Sequence, residues 1–164
     1  GAGATGGPGY PNLADDDWLW GGKLEDIQQT IRHGVRWVTD EDTRDSVMPN
    51  FGADELLEKS DLVNVAEYVL SLSGQTVDQQ AAAKGATVYA DNCAACHGET
   101  GAGDREQGAP SLTDKVWLYG ESKQDILTQL NRARHGQMPA WGDRLDAATI
   151  KMLTVYVHSQ GGGE

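Results

Sequence analysis

The sequence has 164 residues, 38% of them apolar, with 21 glycines, two cysteines and a formal net charge of -12. That length supplies one mid-sized core or two small ones, and the acidic balance excludes phosphate-backbone binding, which Lys and Arg drive by releasing counterions. Two cysteines exclude a disulfide framework, and no apolar run long enough to span a bilayer occurs. The sequence therefore predicts a soluble chain. The N-terminus has no basic-then-apolar leader, and the abrupt Gly1-Ala2-Gly3 start is what a mature fragment of an exported or anchored precursor would show. The acidic surplus serves solubility, and it also suits steering towards a basic protein partner.

In chain order, Leu24, Ile27 and Ile31 recur at helical spacing and stop at Gly34. An acidic stretch around Val35 to Val47 then reads as a surface loop, followed by Met48-Pro49. Leu62, Val65, Ala66 and Val69 form the stripe of a second helix ending at Gly74. Residues 75–82 carry few large apolar groups and read as a linker overlapping the next helix. That helix puts Gly85, Tyr89 and Cys93 on one face, where Gly85 admits a close neighbour, expected near Tyr156 on the last helix. Ser122 and Asp125 form a capping box before Ile126, Leu127 and Leu130, with Gly136 beyond. Asp146 caps a last helix with Ile150, Leu153 and Val157 inward.

The two halves repeat. Gly1-Ala2-Gly3 matches Gly101-Ala102-Gly103, Pro11-Asn12-Leu13 matches Pro110-Ser111-Leu112, and Trp18-Leu19-Trp20-Gly21 matches Trp117-Leu118-Tyr119-Gly120. Arg32-His33-Gly34, Met48-Pro49 and Tyr68-Val69 then match Arg134-His135-Gly136, Met138-Pro139 and Tyr156-Val157. Residues 85–100 have no counterpart in the first copy. The expected organisation is an all-α pair of tandem modules: a truncated one over 1–74, a linker over 75–82, and a complete one over 83–161. The Leu62 to Val69 stripe would then lose its packing partner.

Cys93-Ala94-Ala95-Cys96-His97 is the attachment pattern for haem c. Two intervening residues let one helical turn present both thiols to one porphyrin edge and aim the His97 imidazole at iron. A thioredoxin-like redox pair would need strands that the periodicity does not supply, and a zinc site would need further soft ligands. Among three methionines, Met138 is the expected sixth ligand. Pro139 holds it in an extended loop, and it follows His97 by about 40 residues, enough to reach the opposite ring face. Met152 reads as packing on the last helix, and His135 as a helix-end residue or propionate donor. Met48 would ligate a first haem only if that haem were present. Trp18, Trp20, Trp117 and Trp141 read as core or haem-wall residues.

Pro-Asn-Leu, Trp-Leu-Trp-Gly-Gly, Ile-Arg-His-Gly, Met48-Pro49-Asn50-Phe51-Gly52 and Cys-Ala-Ala-Cys-His-Gly together resemble the periplasmic part of the dihaem subunit, subunit III, of cbb3-type cytochrome c oxidases. The resemblance covers almost the whole chain. It implies a cytochrome c fold twice over, export, an N-terminal membrane anchor, and electron delivery to a haem-copper oxidase that reduces oxygen. By position it implies haem attachment at Cys93 and Cys96, axial ligation by His97 and Met138, and a second haem in the intact family member. Partners would be the other oxidase subunits and a basic cytochrome donor. The family's first attachment motif and anchor helix are not in this sequence. A haem peroxidase or a redox or gas sensor is the alternative, and either needs a displaceable sixth ligand.

Overall fold

The computed structural model describes residues 2–164; Gly1, and with it one end of the first repeat match, lies outside the described residues. A short 3-10 turn at Ala2–Ala4 precedes helices α1 (Leu24–His33), α2 (Lys59–Leu72), α3 (Gln79–Asn92), α4 (Ala94–His97), α5 (Lys123–Asn131) and α6 (Ala147–Gln160). Only isolated bridges, no strands, accompany them among the described residues. The all-α expectation holds.

Local chemistry explains the helix ends. The Ser122 hydroxyl accepts from the Asp125 N–H and the Asp125 carboxylate accepts from the Ser122 N–H, completing the capping box of α5. Asp146 accepts from the N–H groups of Ala148 and Thr149 to start α6. The Ser122 hydroxyl and N–H, both donating to the Asp125 carboxylate, and the Thr149 N–H and hydroxyl, donating to Asp146, favour the ionised acids and hold both carboxyls below their usual range. Gly34 stops α1 at φ 72°. Asp78 accepts from Gln80 and Ala81 N–H, so α3 begins inside the expected linker. Asp78→Ala leaves those donors without their cap and should lower stability by about 1 kcal/mol, read as a lower urea midpoint at unchanged m.

The chain folds into two compact units that cut across the repeat. Unit 1 comprises Gly1–Ser46, Arg105–Gly108 and His135–Glu164; unit 2 comprises Val47–Asp104 and Ala109–Arg134. The expected division into 1–74, 75–82 and 83–161 therefore does not coincide with the compact bodies. Each copy keeps one of the equivalent helices α1 and α5 in one unit and sends its Met-Pro segment and following helix to the other.

In unit 2, α2 packs on α3 and α5. Val65 and Ala66 are fully buried, and Tyr89 is 1% exposed. Burial of large apolar side chains of this kind contributes roughly 1.5–3 kcal/mol each. Gly85 faces Asn64 and Tyr68, and the Tyr68 and Tyr89 rings lie 5.0 Å apart. The partner of the Gly85 face is thus Tyr68, not Tyr156, and the Leu62 to Val69 stripe is covered. Buried Glu67 accepts from Lys123 Nζ at 2.6 Å and from the Asp78 N–H at 3.0 Å, which ties α2 to α5 and to the turn before α3.

In unit 1, α1 packs on α6 around Ile27, Ile31 and Ile150. Val35 and Met138 exchange backbone bonds of 3.0 Å in both directions. The acidic loop is not wholly at the surface. Arg36 donates to the carbonyls of Gly136 and Ser46, and His33 Nδ1 meets Asp40 Oδ1 at 3.0 Å, which anchors the loop to α1. On α6, Met152, Val155 and Tyr156 are 65%, 59% and 58% exposed, so Met152 is not a packing residue and, among the described residues, no helix covers Tyr156. Leu153, expected inward, is also 37% exposed.

Candidate haem c site

The site grows from the end of α3. Cys93, its C-cap, is 8% exposed, whereas Cys96 is exposed; both are free thiols. Bonds from the Cys96 and His97 N–H groups to the Cys93 carbonyl, 3.2 and 2.9 Å, close the single turn α4. Both sulfurs and the imidazole therefore come from one short, ordered segment. Gly98 then leaves the helix at φ 78°.

A glycine-rich loop returns to brace this turn. The Gly103 N–H donates to the His97 carbonyl at 2.8 Å, and the Leu112 N–H donates to the Gly101 carbonyl at 2.7 Å. Gly103 has φ 80°, and a Cβ there would lie 2.7 Å from both Ala109 O and Ser111 N. The Tyr89 hydroxyl donates to the Gly98 carbonyl at 2.7 Å. Burial, reinforced by Cys93 and Tyr68, pushes the Tyr89 phenol up to about 12, so it stays a donor at neutral pH.

His97 Nδ1 donates to the Pro110 carbonyl at 2.9 Å. That bond fixes the tautomer, leaving the Nε2 lone pair as the metal-binding atom and raising its basicity. Burial lowers the His97 proton affinity, only partly offset by the Pro110 bond, so the ring is held neutral as a ligand must be. Burial, and secondarily Cys96, pushes the Cys93 thiol up to about 11. Two thiols spaced for one porphyrin edge, with an oriented neutral imidazole beside them, fit haem c.

The methionines are distributed differently from the expectation. Met48 packs against the unit 2 cluster that contains Cys93, Phe51, Leu62 and Leu130. Met138 packs in unit 1 against Ile27, Ile31 and Ile150, and lines an apolar cleft of about 230 Å³ with Trp141, Leu145, Leu153 and Val157. The structure brings Cys93, Cys96, His97 and Met48 into one unit. Met138, expected opposite His97, is in the other, as is His135. The physical reason is the exchange of Met-Pro segments between copies, which the repeat alone does not reveal.

Sequence reasoning also passed over three buried N–H groups that find no acceptor among the described residues: Trp117 Nε1 in unit 2, and Trp20 Nε1 and Arg44 Nε in unit 1. The Arg44 guanidinium lies 5.4 Å from the Trp20 ring centre. No residue pattern in the sequence marks such groups, because only the fold shows which indole is buried without a partner.

Helical modules, a Cys-x-x-Cys-His turn and a carbonyl-oriented imidazole define a c-type cytochrome. Residues 80–157 match the family model for cytochrome c oxidase, cbb3-type, subunit III. Over 164 residues the chain is 54% identical to the cbb3-type cytochrome c oxidase subunit CcoP of Cereibacter sphaeroides, covering 100% of this chain and 57% of that protein. It is 54% identical to subunit FixP of Azorhizobium caulinodans and 51% identical to FixP of Sinorhizobium medicae, covering all of this chain and 55% and 56% of theirs. The chain is thus similar over its whole length to cytochrome subunits of cbb3-type oxidases, and it spans a little over half the length of these relatives. That likeness implies covalently bound haem c. Among the described residues no helix is long and apolar enough to cross a membrane.

Proposed function

We propose that the chain is the electron-carrying part of a cbb3-type oxidase subunit, relaying single electrons from a cytochrome c or quinol-oxidising donor to the oxidase core without bond chemistry of its own. The observation that carries this reading is the gathering of Cys93, Cys96, His97 and Met48 in one compact unit. Cys93 and Cys96 would hold the haem covalently, and the His97 Nε2 and the Met48 thioether would bind its iron. Haem c supplies the one-electron ferric/ferrous couple. The protein's part is to fix the imidazole through Pro110 O, to surround the ring with the Phe51, Leu62 and Leu130 cluster, and to close the iron to small ligands. A thioether ligand favours ferrous iron and raises the potential.

Met138, in its apolar cleft, is assigned to a second haem in unit 1, attached by cysteines outside these 164 residues. The acidic surface, net -12, suits a basic donor face. The remaining oxidase subunits would be the permanent partners, and the location would be the periplasmic face of a bacterial inner membrane.

The reading is tested with carbon monoxide. The dithionite-reduced, haem-loaded chain should keep its spectrum under carbon monoxide and should pass electrons to an oxidase core lacking this subunit. Ready carbon monoxide binding by the intact protein would instead favour the peroxidase or sensor class.

A further inference from the structure

We propose that Trp117 is a positioning residue for the haem of unit 2, its indole N–H donating a hydrogen bond to a haem propionate. This rests on the reading of Cys93, Cys96 and His97 as the attachment site. Trp117 packs against the cluster containing Cys93 and flanked by Met48, and its Nε1 is buried with no acceptor among the described residues. A buried donor left without an acceptor costs roughly 1–3 kcal/mol, so a native site supplies one.

The internal repeat provides the comparison. Trp18 occupies the same position in the first copy, and its indole N–H donates to the Gly162 carbonyl at 3.1 Å within unit 1. The indole at this repeat position is therefore built to donate, and in unit 2 no described residue offers it an acceptor. A covalently held haem would bring two propionate carboxylates to unit 2, on the porphyrin edge opposite the thioether bonds, and these are acceptors of the kind the indole needs. In a chain with 25 acidic and 13 basic residues, an added carboxylate is favoured where an uncharged donor stands ready and no basic side chain is consumed. Drawing propionate charge onto the indole N–H reduces its stabilisation of ferric iron, so the contact raises the midpoint potential.

The test uses the reduced, diamagnetic haem-loaded chain labelled with nitrogen-15. First, the mass of the chain and through-space contacts from the cysteine methylenes to the porphyrin establish attachment at Cys93 and Cys96; their absence overturns the site reading itself. With attachment established, the indole cross-peak that Trp117→Phe removes should be slow to exchange with water and should show contacts to the propionate methylenes. Trp117→Phe should then lower the midpoint potential while the methionine ligation band is retained. An indole proton that exchanges fast and shows no contact to the propionates overturns the proposal, as does a Trp117→Phe chain with unchanged potential.

Discussion

Replacing Met48 by alanine is expected to open the sixth position of the haem held by Cys93, Cys96 and His97, whereas the same change at Met138 leaves that position closed. Met48 belongs to the unit that contains the attachment turn and packs on the cluster that includes Cys93. Pro49 follows it and keeps it in an extended segment, as Pro139 does for Met138. Met138 belongs to the other unit. Its backbone is paired to Val35 in both directions, and its side chain lines the cleft with Ile31 and Trp141. Met48→Ala should abolish the methionine-to-ferric-iron charge-transfer band, admit carbon monoxide to the reduced iron, and lower the potential by on the order of 0.1 V or more, a fraction of the roughly 0.8 V that axial ligands span. Met138→Ala should leave all three readings at wild-type values. The reverse pattern would return the sixth position to Met138 and sink the exchange of ligands between copies.

Gly85→Ala should be the most damaging single methyl that can be added to unit 2, costing about 3 kcal/mol. Gly85 lies on α3 where that helix crosses α2, and a Cβ there would sit 2.5 Å from Asn64 C and 2.9 Å from Tyr68 Cβ, with the Asn64 carbonyl oxygen nearer still. Two of these obstacles are backbone, which cannot swing aside as a flexible side chain can. The helices must separate instead, and the contacts of Tyr68, Val65 and Tyr89 are lost with that movement. Chemical denaturation followed by helix circular dichroism measures the loss. A Gly85→Ala chain within 1 kcal/mol of wild type would mean that α2 and α3 do not meet as described.

Most of the helices and the attachment turn were legible because their signals are local. Capping at Ser122, Asp125 and Asp146, the Gly34 stop, and the Cys93, Cys96, His97 spacing each depend on residues a few positions apart. What escaped is which like element pairs with which. Tyr68 and Tyr156 are equivalents by repeat, so periodicity is equally satisfied whichever of them covers Gly85. One clue was present in the spacing. Met48 lies 14 positions after Gly34, while Met138 lies only two after Gly136. The short connection keeps Met138 against Gly34 and Val35, where a Gly34 side chain would strike the Met138 carbonyl. Read for length, the acidic stretch is a tether that lets Met48 leave the unit of α1; read for charge alone, it is a surface loop.

The exchange also sets an order of assembly. Unit 2 holds all its residues once Arg134 has been made, so the attachment turn and Met48 can come together while the remainder of the chain is still being synthesised. Unit 1 has the opposite history: its residues up to Ser46 precede unit 2 in the chain and must wait for His135–Glu164 before α1 meets α6. During that interval Ile27 and Ile31 lack the helix that buries them. The stretch that precedes unit 2 in the chain is thus completed after it, and the unit that contains the Cys93, Cys96 and His97 turn is the one able to close ahead of it.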